Sequence, residues 1–138
     1  MSDISENPTQ APVVVFVVED DELVQELLVS ALEEGGFAVM MTASGDEALA
    51  ILEMDDAPIR AVVTDVDLGK SQITGWDVAK RARELHPDMP IVYMTGSHAS
   101  EWSANGVPNS IILTKPFAPA QIVSAVSQLM NAAPPTSA

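Results

Sequence analysis

Short apolar runs alternate with helical periodicities five times along this chain. The first run, Val13-Val14-Val15-Phe16-Val17-Val18, precedes Glu22–Glu34, where Leu23, Leu27, Ala31 and Glu34 fall at helical spacing. Glu34 turns outward at the end of that helix, and Gly35-Gly36 supplies the stop. Phe37–Thr42 reads as a second strand, followed by Ser44 as an N-cap with Glu47 three residues on, the pattern of a capping box before Ala48, Leu49, Ile51 and Leu52. Ala61–Asp65 is the third strand. A Gly-containing loop over 67–74 then leads to a helix over Gly75–His86, with His86-Pro87 and Met89-Pro90 as punctuation. Ile91–Thr95 is the fourth strand, and Gly96–Asn105 has only weak helical character. Asn109–Thr114 is the fifth strand, and a last helix runs from about Pro119 to Met130 with Ile122, Val126 and Leu129 inward.

Short, β-branched apolar runs without polar alternation are the signature of strands buried on both faces. Alternating with helices, they predict right-handed crossovers and an α/β fold, a doubly wound five-stranded parallel sheet with helices on both faces. The chain divides into a single domain over 13–131 and two tails, 1–12 and 132–138, expected to be flexible. No internal repeat is present.

Composition narrows the function. The chain has 138 residues, 47% of them hydrophobic, enough for one core. No apolar run approaches the roughly 20 residues of a membrane span, and the acidic N-terminus lacks the features of a secretory signal. Cysteine is absent, which excludes disulfide and thiolate chemistry and fits the cytoplasm. The net charge is −14 with only six Lys and Arg residues, so phosphate neutralisation on a nucleic acid is disfavoured and a protein partner fits better. Lys80, Arg81 and Arg83 form the one basic cluster and read as a solvated helix face.

Five polar residues sit where the apolar runs end. Glu19 and Asp20 follow the first run, Asp65 closes the third, Thr95 closes the fourth and Lys115 follows the fifth. Ligands of open α/β sheets bind beyond the carboxyl ends of the strands, so these groups converge if the strands lie side by side. Three carboxylates, a hydroxyl and an ammonium suit a hard cation and a transferable phosphoryl group. Asp21 is assigned to capping the first helix. His86 and His98 read as helix-end and loop residues. Trp76 is placed against the core, and Trp102 is either a packing residue or part of a partner surface.

Val17-Val18-Glu19-Asp20, Val63-Thr64-Asp65-Val66-Asp67, Met94-Thr95-Gly96 and Leu113-Thr114-Lys115-Pro116-Phe117 resemble, in order and spacing, the landmarks of the response-regulator receiver domain of two-component signalling. The resemblance spans roughly Val13 to Met130 and implies a flavodoxin-like receiver fold. It further implies that Asp65 accepts a phosphoryl group from a sensor histidine kinase or histidine phosphotransfer protein. Glu19, Asp20, Asp65 and the backbone carbonyl of Asp67 would hold Mg²⁺, Thr95 and Lys115 would bind phosphoryl oxygens, and the Lys115–Pro116 bond would be cis. Beyond self-phosphorylation and slow self-dephosphorylation no enzymatic turnover is implied. Signalling would pass to an unidentified downstream protein without a DNA-binding output domain, from a monomer or a phosphorylation-dependent dimer.

Three features depart from the family pattern. Leu68-Gly69 replaces the usual Met-Pro, and the loop to Gly75 is about two residues longer. Ile112 occupies the position often held by an aromatic switch residue, which leaves Ile112, Trp102 and Pro116 as the candidate switch or partner surface. Gly96, Ser97, Ser100, Ser103 and Gly106 weaken the fourth helix and mark it as the flexible output region. Two other functions compete. Asp65-Val66-Asp67 also resembles the nucleophile and acid pair of haloacid-dehalogenase phosphatases, although here the further acids lie upstream and no cap domain fits. A degenerate receiver acting as a phosphorylation-independent binding module is the other.

Overall fold

The computed structural model describes residues 11–132, so both expected tails lie almost wholly outside the described residues. The strands are β1 (Val14–Val18), β2 (Ala38–Thr42), β3 (Ile59–Asp65), β4 (Ile91–Thr95) and β5 (Ile111–Thr114). They form one sheet in the order β2-β1-β3-β4-β5, with every neighbouring pair parallel. The helices are α1 (Glu22–Glu34), α2 (Gly45–Leu52), α3 (Gly75–Leu85), α4 (Trp102–Asn105) and α5 (Pro119–Asn131). The predicted alternation is therefore found, with boundaries displaced by one or two residues.

Side-chain alternation along the buried strands divides the core into two layers. Val15, Val17, Ala61, Val63, Val92 and Met94 meet Leu28, Leu32, Ile122 and Val126 of α1 and α5. Phe16, Val18, Val62, Ile91 and Tyr93 meet Ala48, Leu52, Val78, Ala79 and Ala82 of α2 and α3. Because β1 sits between β2 and β3, the strand order reverses at β1 and β3, and a crevice opens above their carboxyl ends.

The first helix corrects the expected inward face. Leu23 is 77% exposed and Leu27 is also exposed, whereas Leu28, Ala31 and Leu32 are buried. Two apolar stripes one residue apart run along α1, and packing against α5 selects the one carrying Leu28. Asp21 caps this helix, its Oδ1 accepting from the amides of Leu23 at 2.9 Å and Val24 at 3.2 Å.

Two further local expectations change. Ser44 accepts from the Glu47 amide at 3.1 Å, but the Glu47 carboxylate accepts the Thr42 hydroxyl at 2.5 Å instead of closing a capping box. The full box occurs at α3, between Thr74 and Asp77. Within the basic cluster, Lys80 and Arg81 lie on the solvated face as expected, and Arg83 departs from it. Arg81 pairs with Glu53 and Glu84, and the half-buried Arg83 donates to the carbonyls of Met89, Pro108 and Asn109 at 2.6, 2.6 and 3.2 Å.

The weak fourth helix is a 3₁₀ turn over Ala99–Glu101 and a single α turn at Trp102–Asn105. No helix of the described residues is long and apolar enough to cross a membrane.

Candidate functional site

Strand register determines which site side chains meet. Val18 lies beside Thr64, Asp65 beside Met94 and Thr95 beside Thr114. The ladder runs on past the strand ends, through Glu19 N to Thr42 O at 3.0 Å, Val66 N to Met94 O at 2.9 Å and Lys115 N to Thr95 O at 2.8 Å. Glu19, Asp65 and Lys115 each continue the side of the sheet occupied by Val17, Val63 and Leu113. Thr95 continues the opposite side, with Tyr93. The pleat therefore brings two carboxylates and an ammonium together and aims the hydroxyl toward the fourth-helix segment.

Lys115 Nζ donates to Asp65 Oδ2 at 2.7 Å and to Glu19 Oε1 at 3.3 Å. The Lys115–Pro116 bond is cis, as the resemblance implied. Glu19 is fully buried and its Oε2 also accepts the Asp21 amide at 3.0 Å. Asp65 is 6% exposed, and its Oδ1 accepts the Asp67 amide at 3.2 Å. Asp20 is exposed. One carboxylate oxygen from each of Glu19, Asp20 and Asp65 lies within 4.8 Å of the others.

Electrostatics reflect this crowding. Burial pushes the Glu19 carboxyl up to about 7; the nearby Asp65 charge adds to the rise, while the Asp21 amide and Lys115 oppose it. Burial lowers the Lys115 pKa, but hydrogen bonding and attraction to Asp65 and Glu19 outweigh it, leaving a net rise. The donor set fits a hard divalent cation. It offers three carboxylates and few neutral ligands, and the burial that raises the Glu19 pKa is the kind of penalty a bound cation relieves.

Thr95 is buried, and its Oγ1 accepts the amides of Ser97 at 3.2 Å and His98 at 2.8 Å. The His98 ring pairs with Glu101 at 2.8 Å. Ile112, half-buried, lies in register with Tyr93. Tyr93 is fully buried, its hydroxyl accepts the Val107 amide at 3.0 Å, and its ring lies 4.7 Å from that of Trp76, which packs in the core as expected. Trp102 is half-buried against the α3 layer and donates to Ser110 Oγ at 2.9 Å. Pro116 is exposed beside the site.

Two neighbours escaped the sequence reading. Tyr93 lies on β4, next to the position where an aromatic was missed, and only the register joins it to Ile112. Gly75 carries α3 past Asp65 so closely that a Cβ there would lie 2.0 Å from the Asp65 carbonyl oxygen. A glycine directly after the N-cap Thr74, where a side chain would normally serve, was the available signal.

A family model described as the response regulator receiver domain matches residues 15–127. A crystal structure of a response regulator receiver protein from Sinorhizobium medicae is 45% identical, with a TM-score of 0.84, covering 88% of this chain and 96% of that one. The response regulator receiver protein CpdR of Brucella abortus is 28% identical, covering 86% of this chain and 98% of its own length. The sensor kinase CckA of the same organism is 31% identical across 85% of this chain. The chain spans only 22% and 12% of the length of the first two curated relatives it matches.

Proposed function

Because the chain belongs to the response regulator receiver domain family of two-component systems, we propose that it accepts a phosphoryl group on Asp65 from a phosphohistidine donor. The observation that carries this reading is the Asp65 carboxylate at the end of a central strand, 2.7 Å from the Lys115 ammonium and grouped with Glu19 and Asp20. A carboxylate oxygen of Asp65 forms a new P–O bond as the P–N bond to the donor imidazole breaks. The electron pair leaves with the ring nitrogen, and the product is an acyl phosphate.

Glu19, Asp20, Asp65 and the Asp67 carbonyl are the ligands for Mg²⁺, which when bound supplies charge neutralisation for carboxylates and phosphoryl oxygens alike. Lys115 shifts its ammonium contact from the Asp65 carboxylate to a phosphoryl oxygen. Thr95 donates a hydrogen bond from its hydroxyl to another. Movement of Thr95 disturbs the Ser97 and His98 amides that now bond to its oxygen, so the new charge reaches the fourth-helix segment. Ile112, Trp102 and Pro116 form the candidate readout surface.

The donor is a sensor histidine kinase or a histidine phosphotransfer protein. The output is a protein contact made in the cytoplasm, without nucleic acid, by a monomer or a phosphorylation-dependent dimer. Self-phosphorylation followed by slow hydrolysis is the full extent of its chemistry.

Transfer from a phosphorylated histidine-containing donor in the presence of Mg²⁺ tests this. One hydroxylamine-labile equivalent should appear on the wild type. Continuous release of many equivalents of phosphate from a small phosphate ester would instead favour the phosphatase reading.

A further inference from the structure

The loop between β3 and α3 passes directly over one of the acidic side chains. Gly69 has φ +67°, and a Cβ built on it would lie 2.6 Å from Asp20 Oδ2, inside any real carbon–oxygen contact. We propose that Gly69 is a positioning residue for Asp20: lacking a side chain, it lets the loop backbone lie against the carboxylate and hold it toward Glu19 and Asp65. This rests on the reading of those three carboxylates as cation ligands.

The loop cannot simply lift away. On one side of Gly69, Leu68 is buried in the core layer beneath α2 and α3, and the Asp67 amide is bonded to Asp65 Oδ1. On the other, the Ser71 amide returns to the Leu68 carbonyl at 3.3 Å, and Ser71 Oγ accepts the Ile73 amide at 3.0 Å. Asp20 is the yielding partner. It is exposed, and no hydrogen bond to its carboxylate is found among the described residues. Added bulk at position 69 therefore displaces the carboxylate before it displaces the loop.

Two effects of a substitution must be separated. Any residue with a Cβ is strained at a positive φ, whatever the space around it. Gly36 isolates that effect, because it has φ +96° and nothing within 4 Å of an added Cβ. Asn tolerates the left-handed region better than Ala, so Gly69→Asn adds bulk with less strain.

The test is calorimetric titration with Mg²⁺ alone of the full chain and its variants, with thermal denaturation to verify folding. Gly69→Ala and Gly69→Asn are expected to bind Mg²⁺ about 10-fold or more weakly, the usual scale for disturbing a ligand's support. Gly36→Ala should bind as the wild type does. In an Asp20→Asn background, Gly69→Ala should change the affinity by less than about twofold, because coupled residues are non-additive. Unchanged binding by both Gly69 variants, or an equal loss with and without Asp20, would overturn the proposal. Absence of Mg²⁺ binding by the wild type would overturn the cation reading itself, and this inference with it.

Discussion

The Lys115 ammonium lies 2.7 Å from Asp65 Oδ2 and 3.3 Å from Glu19 Oε1, so one cation holds two buried carboxylates. Without it, the carboxylates face each other and Asp20 with no counter-charge. Lys115→Met is predicted to destabilise the metal-free protein by about 2 kcal/mol, below the full cost of breaking a buried pair because the lysine is partly solvated. Saturating Mg²⁺ should restore most of that loss. Urea denaturation with and without Mg²⁺ measures both, and equal losses under the two conditions would contradict the account.

His98 reports on the same site from the opposite side of the sheet. Its hydrogen bond to Glu101 holds its pKa above the ordinary histidine value, and the charges of Asp67 and Asp65 add to the rise. A group raised in the folded state stabilises fully below its unfolded pKa, and that contribution is lost as pH rises through the folded value. Imidazole resonances followed by NMR should titrate above 6.5, and Glu101→Gln should bring the midpoint down. A phosphoryl group on Asp65 should move it further up.

Tyr93 ties the fourth-helix segment to the core through one bond, its hydroxyl accepting from the Val107 amide. Tyr93→Phe leaves that donor without its partner at a cost of about 1 kcal/mol. Amide exchange over 97–107 should already be faster than in α5, and faster again in the variant. Uniformly slow exchange there would end the reading of this segment as the mobile output region.

Arg83 donates to three backbone carbonyls from two connections at the far end of the sheet. Arg83→Met should cost about 2 kcal/mol, since bonds from a charged donor are the stronger kind. Mg²⁺ affinity should not change. A loss of binding comparable to the loss of stability would mean that the two ends of the sheet are coupled.

Much of the fold was legible because strand ends and strand order act together. Glu19, Asp65, Thr95 and Lys115 stand at run ends, and a parallel sheet brings run ends to one edge. What escaped the sequence depends on geometry that no local pattern carries. The stripe through Leu23 and Leu27 is as regular as the one through Val24, Leu28 and Leu32, and only the placement of α5 chooses between them. Glu47 abandons its capping box because Thr42, on β2, comes within reach. Arg83 looks like its solvated neighbours until the chain folds carbonyls around it. The contact of Gly69 with Asp20 joins residues almost fifty positions apart.

The most direct measurement is the intact mass of the protein after incubation with acetyl phosphate, with and without Mg²⁺, for the wild type and Asp65→Asn. A single phosphoryl adduct that requires both Mg²⁺ and Asp65 is the predicted result. An adduct that persists in Asp65→Asn, or none on the wild type from acetyl phosphate or from a phosphohistidine donor, would contradict it. The second of those outcomes would describe a receiver fold that serves as a binding module alone.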